Sequence, residues 1–197
     1  PEIFDEDGRQ IPLQVEKELS NIQNDHRKRV GFRGKLKPFS MNRFRCFLRE
    51  TGKGFEQKKD TEEKEFFHFQ SDQSEVSVNR LTGLIDSYKV DGIEYFKSGA
   101  MQLLVIKDYP DPWGMKVRSF RNMEGAFQLL KEEEAADFAG VNQRKLAPVR
   151  IIENGPIRTV VEALFKYNHS FAVVRYFIPQ KGSEIGIDVR VFWLEKD

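Results

Sequence analysis

The chain has 197 residues, 39% hydrophobic and 12% aromatic, with 32 basic against 31 acidic side chains. That is enough apolar material for one large domain or two smaller ones. The balanced charge removes any electrostatic case for nucleic acid or an anionic membrane as partner, and no apolar run approaches the ~18 residues of a membrane span.

The 17 Phe and the β-branched runs favour sheet. Cys46 is the only cysteine, so no intrachain disulfide forms. That fits a reducing, cytoplasmic setting. Its place in the alternating run Phe44, Cys46, Leu48 reads as a small core hydrophobe. No signal peptide is visible, and the opening on Pro1 reads as an excised piece of a longer parent.

Ile3 and Phe4, the turn cluster Asp5-Glu6-Asp7-Gly8, and alternating Ile11, Leu13 and Val15 predict a hairpin. The acidic cluster is out of register for a calcium loop, with Arg9 at the fifth position and Gly8 too early, so it reads as a turn. His26 sits among charged neighbours and reads as solvated. Val30 and Phe32, the break at Lys37-Pro38, and the alternation from Arg43 to Glu50 predict strand, bend, strand. Residues 51 to 65 are mostly charged, with two Gly and one apolar side chain. They place a linker or solvated loop over residues 53–72, between a small β-sandwich-like domain (1–52) and a larger β domain (73–197).

Phe67 and Phe69 lead into a predicted meander. Val76 and Val78 form a strand, Arg80 to Gly83 a turn, and Leu84 to Val90 a return strand. Asp91-Gly92 is the strongest hairpin signal, because a type I′ turn needs positive φ at both central residues. Ile93 to Phe96 pairs back, Ser98-Gly99 turns, and Met101 to Ile106 reads as a buried strand.

A stiff loop follows. Pro110 and Pro112 flank Asp111, removing two backbone donors and favouring extended conformations before each proline. The loop therefore presents Asp108, Asp111 and Trp113 in a fixed arrangement. Carboxylates beside an indole suit a sugar surface. The same residues also suit packing: Trp113 as a plug at the end of a sandwich or at a domain interface, the Asp residues as caps. These three are the candidates for substrate contact or domain docking.

Met115 to Phe120 is a strand candidate. Residues 131–140 predict the one short helix, with three Glu in its first turn and Gly140 as its stop. Three long strands then close the chain: Pro148 to Glu153 leads by the turn Asn154-Gly155-Pro156 into Ile157 to Tyr167, Asn168-His169 turns into Ser170 to Ile178, and Glu184 to Leu194 runs out. Ile185, Ile187, Val189, Val191 and Trp193 alternate to the end, which predicts a sheet that continues beyond Asp197. The fold class is all-β and antiparallel.

Four segments carry a family resemblance. They are DHRKRVGFRGKLKPFSMNRFRCFL (Asp25 to Leu48), SVNRLTGLIDSYKVDGIEYFKSGAMQLLVIKDYPDPWGM (Ser77 to Met115), LAPVRIIENGPIRTVVEALFKY (Leu146 to Tyr167) and EIGIDVRVFWLEKD (Glu184 to Asp197). In this order and spacing they resemble the central β region of the α-mannosidases of glycoside hydrolase family 38. The resemblance implies a small antiparallel β-sandwich followed by part of a galactose-mutarotase-like supersandwich. It also implies a parent that hydrolyses terminal α-D-mannosides with retention, using an Asp nucleophile, a second carboxylic acid and a zinc-type divalent metal. In the family those groups lie on an N-terminal barrel and helical bundle that this chain lacks.

No pair of carboxylates suits a retaining glycosidase. His26, His68 and His169 have no metal-ligand spacing, so no catalytic or metal residue is carried over and no cofactor is expected in this chain. Some family members place a tyrosine near the substrate shortly after an SGA-type segment. Here Ser98-Gly99-Ala100 is followed by Met101, which argues against direct contact with mannose.

The expected role is a non-catalytic β region that supports a catalytic domain and lines part of its cleft, with the remainder of the parent enzyme as partner and α-mannoside met through it. A free-standing carbohydrate-binding module, stacking a sugar on Trp113 or Trp193, is the alternative. An aldose-epimerase-like enzyme, argued from fold alone, ranks third.

Overall fold

The computed structural model describes residues 1–16, 28–48, 65–108, 113 and 119–195. Among these, the chain is all-β and antiparallel with one helix. The N-terminal part holds two small sheets. In one, β1 (Glu2–Phe4) lies between β2 (Gln10–Ile11) and β5 (Arg45–Phe47); in the other, β3 (Leu13–Val15) pairs with β4 (Val30–Phe32). The Asp5–Gly8 turn closes through Gly8 N–H to the Asp5 carbonyl at 3.1 Å, with Gly8 at φ 77°.

Cys46 is exposed, not buried. It pairs with Ile3, but β5 is the edge of a three-stranded sheet with all three residues exposed. Its partners on the same face, Ile3 and Ile11, are buried, so the cover over that face stops short of the edge strand.

The larger part is a sandwich. One layer is the meander β6 (Phe66–Gln70), β7 (Ser74–Asn79), β8 (Ile85–Val90) and β9 (Ile93–Glu94). The expected linker over 53–72 thus ends in ordered sheet: Phe66–Gln70 is a full strand on β7, while residues 53–64 lie outside the described residues. Asp91 and Gly92 both take positive φ, 49° and 80°, as the hairpin reading requires.

A two-stranded ribbon follows, β10 (Leu104–Ile106) against β11 (Met123–Ala126). After β12 (Gln128–Leu129) comes α1 (Glu132–Ala139). Glu134 reaches back to the Lys131 N–H at 3.0 Å, and Gly140 ends the helix in the left-handed region. The second layer joins β12 and β13 (Val149–Asn154) to one edge of β14 (Arg158–Tyr167). β15 (Ser170–Pro179) and β16 (Gly186–Phe192) then continue the sheet in that order.

Odd-numbered residues of β14 and even-numbered residues of β15 face the meander. Val161, Ala163, Phe165, Val174, Tyr176 and Ile178 pack with Phe67, Val76, Val78 and Ile85 in the main core. Gly83 marks how close the layers come: a Cβ there would lie 2.8 Å from both Leu129 and Phe165, and the Gly83 carbonyl accepts the buried Tyr176 hydroxyl at 2.9 Å. Burial pushes the Tyr176 pKa well up, so it stays a neutral donor.

The other face of β14 is also covered. Leu164, with Leu130 and Ala135 of the helical segment, forms a second core edged by Phe138, Phe171 and Val173. Beside it lies a charged row. Glu162, buried, accepts Arg150 Nη2 at 2.5 Å and Arg175 Nε at 2.8 Å. The strand pairing sets this row: Arg150 opposes Glu162, Glu162 opposes Arg175, and Arg175 opposes Asp188.

Candidate functional site

Three places bring side chains together in a way that bears on function. The first is the joint between the small sheets and the sandwich. The turn after β13 is Asn154-Gly155-Pro156, and Gln14 of β3 is seated on it, itself buried. Gln14 Oε1 accepts the backbone N–H of Ile157 (3.3 Å) and Arg158 (3.1 Å), and its Nε2 donates to Glu153 at 3.2 Å. Arg158 pairs with Glu153 and with Glu16, each at 3.3 Å. Arg33 adds a bond to the Lys181 carbonyl at 2.7 Å. A Cβ on Gly155 would lie 2.4 Å from Gln14 Oε1, so only glycine admits this close approach. The Glu-Asn-Gly-Pro-Ile-Arg motif thus serves as a docking joint within the chain.

The second place is the turn network behind the Ser98-Gly99-Ala100 segment. Asp86 accepts Ser98 Oγ (2.9 Å), Gly99 N–H (2.8 Å) and Asn79 Nδ2 (2.9 Å). Partial burial works to raise the Asp86 pKa, but these hydrogen bonds from Asn79, Gly99 and Ser98 outweigh it and hold it below the ordinary aspartate value. Met101 follows with φ 73°. The expected buried strand Met101 to Ile106 is therefore shorter. It begins at Leu104, because a left-handed residue cannot continue an extended strand, and of its three residues only Val105 is buried.

The third place is the outer face of the β10–β11 ribbon. Val105 points into the core, so Leu104 and Ile106 point out, both exposed. Opposite them lie Ala126 and Met123, and Met123 is also exposed. The ribbon closes at Lys107 N–H to the Asn122 carbonyl, 2.8 Å. The connection from 107 to 122 therefore springs from its end and carries Asp108 and Trp113. Asp108 is exposed. Trp113 is 83% exposed, so it does not plug the end of the sandwich. Asp111, both prolines and most of the strand candidate Met115–Phe120 lie outside the described residues; Phe120 itself is exposed and outside any strand.

Other polar groupings are internally satisfied. A depression of about 440 Å³ is lined by Asp5, Glu6, Met41, Arg43 and Arg45. Its Glu6 bonds Lys37 Nζ and the Arg43 N–H, both at 3.0 Å. Lys37 first, then Arg43, holds the Glu6 pKa down. The residues here do not make a metal site: among the described residues no three of His, Cys, Asp and Glu gather. His68 lies exposed on β6 with Nδ1 2.9 Å from Ser77 Oγ, and at the exposed hairpin tip the His169 backbone N–H donates to Glu195 at 2.9 Å. His26 lies outside the described residues.

The charged row and the apolar ribbon face were missed in the sequence. Glu162 looks like one more solvent-side residue of an alternating strand; only its two arginine neighbours on different strands reveal it. No protein-family model matches this sequence, and no curated protein or solved structure shows significant similarity to it.

Proposed function

We propose that this chain is a non-catalytic β region of an α-mannosidase, which docks on and supports a catalytic domain that hydrolyses terminal α-mannosides. The sequence resemblance to glycoside hydrolase family 38 supplies the parent activity, its zinc-type metal and the mutarotase-like identity of the sandwich. The observation that carries the docking role is the apolar ribbon face of Leu104, Ile106 and Met123; Trp113, in the connection between the two ribbon strands, is exposed as well. Contiguous apolar surface of this kind marks an interaction site. The joint at Gly155 explains one resembling motif as internal scaffolding, which leaves the ribbon and its loop to face the partner. No helix among the described residues is long and apolar enough to cross a membrane. A lone, exposed, free cysteine supports the cytoplasmic setting.

The test is association with the catalytic region encoded upstream of Pro1, expressed separately. The purified chain alone should not turn over an aryl α-mannoside. It should bind that region, and I106D and W113A should weaken the complex about tenfold each, the scale of an interface anchor. An upstream reading frame with no His-x-Asp-bearing barrel would sink the proposal.

The exposure of Trp113 also favours a second reading, a carbohydrate-binding module that stacks a sugar on the indole. Titrating mannose against tryptophan fluorescence separates the two: a saturable change lost in W113A supports the module.

A further inference from the structure

The small N-terminal sheets meet the sandwich at two turns, and at each turn one peptide group is held from both ends. The first is the Ile157–Arg158 peptide. Its N–H donates to Gln14 Oε1 of β3 at 3.1 Å, and its carbonyl accepts the Gln180 N–H at 2.9 Å. The second is the Lys181–Gly182 peptide, in the turn between β15 and β16. Its carbonyl accepts Arg33 Nη1, from just beyond β4, at 2.7 Å. Its N–H donates to Asp72 Oδ1, in the turn between β6 and β7, at 2.6 Å. A cation thus sits on the oxygen of one amide and an anion on its hydrogen. The cation belongs to the small sheets and the anion to the meander.

The rest of the β15–β16 turn is gripped in the same way. Gly182, at φ 88°, also gives its carbonyl to the hydroxyls of Ser71 (2.7 Å) and Ser74 (3.2 Å). The Ser71 oxygen in turn accepts the N–H of Gln73 at 3.1 Å and of Ser74 at 2.9 Å. One hydroxyl therefore shapes the β6–β7 turn and ties it to Gly182. Tyr88 of β8 donates its hydroxyl to the Ser183 carbonyl. The consecutive carbonyls of Lys181, Gly182 and Ser183 are thus held by side chains from the small sheets, from the β6–β7 turn and from β8. We propose that the β15–β16 turn is a conformational latch, which couples the seating of the β3–β4 pair to the order of the β6–β7 turn. The coupling runs through the Lys181–Gly182 peptide. A guanidinium on its carbonyl draws electron density from its nitrogen, so the Gly182 N–H becomes a stronger donor to the Asp72 carboxylate. The carboxylate strengthens the Arg33 bond in return. Coupling of this kind is reciprocal, so whatever orders one side holds the other, and loss of either charge loosens both. This goes beyond the docking role of the ribbon and does not depend on the mannosidase reading.

The experiment is residue-resolved amide exchange by NMR on the full chain. R33M keeps the alkyl stem of Arg33 and removes its charge and donors. It should speed exchange at the Gln73 and Ser74 N–H groups of the β6–β7 turn by about threefold or more. D72N keeps the shape of Asp72 and removes its charge. It should speed exchange along β3 and β4, on the far side of the latch, by a similar factor. The double variant should be little worse than either single one at each place, because both break the same latch. The amides of β14 and β15 serve as the control and should stay slow throughout. If R33M speeds those too, the whole fold has weakened, and R33K decides instead, since it keeps the charge and loses the planar fork. The same response on both sides at smaller amplitude then supports the latch. A response confined to the side of each substitution overturns the proposal, and so do effects that add in the double variant.

Discussion

The strands β15 and β16 carry the same pattern and meet opposite fates. Both alternate apolar residues over their length, and Val174 and Val189 are direct cross-strand partners. Yet Val174 is 1% exposed and Val189 43%. The meander lies over β15 and stops short of β16. Periodicity therefore reports which residues share a face; it does not report whether anything covers that face. Cys46 on β5 and Leu104 and Ile106 on β10 teach the same lesson on a smaller scale.

The sharpest way to break the comparison lies on the polar side of the same sheet. Glu162 holds two guanidinium groups, and burial, resisted by the charge of Glu162 and aided by Arg175, presses the Arg150 pKa down. Glu162→Gln leaves both cations without their anion and should cost about 3 kcal/mol in urea unfolding. Asp188→Asn, two strands further out and exposed, should cost under about 0.5 kcal/mol. Comparable losses would mean that β16 is covered as well as β14.

The apolar partners should follow with a smaller gap. Val174→Ala opens a cavity in the main core and should cost about 2 kcal/mol. Val189→Ala should change unfolding by less than about 0.5 kcal/mol.

The smallest effect is expected where hydrogen bonds alone are at stake. The folded-state pKa of Asp86 lies below its ordinary value of 3.8. Its contribution to stability is therefore complete above that value and is lost as pH falls through the folded pKa. Asp86→Asn should cost about 1 kcal/mol at neutral pH. The difference from wild type should shrink as the medium is acidified below the ordinary aspartate range, as read by thermal unfolding.

The legible parts of this fold were those in which local chemistry decides the outcome. Asp91-Gly92 needed only its positive φ pair, α1 its acidic first turn and Gly140, and β14 to β16 their alternation. What could not be read depends on distant chain. The Met101 break hides within an apolar run, because its left-handed backbone follows from the turn before it. The strand β11 carries Met123, Glu124 and Gly125, a poor strand signature, and exists because β10 supplies a partner. Of the three candidate site residues, Asp108 and Trp113 could be read as members of one stiff loop, but not whether the indole is covered; it is exposed. Asp111 lies outside the described residues. An indole weighs equally as plug and as probe until its surroundings are known.

The joint at Gly155 has one further consequence, for how this chain ages. Asn-Gly is the dipeptide most prone to deamidation, because the unhindered glycine nitrogen can attack the asparagine amide. Here that nitrogen donates to the Arg158 carbonyl at 3.2 Å, and the Asn154 side-chain oxygen accepts the Thr159 hydroxyl at 3.1 Å. The folded chain thus protects a weak covalent link with the hydrogen bonds that shape the turn. Isoaspartate at Asn154, read by peptide mapping after storage, should accumulate in proportion to time spent with that turn open.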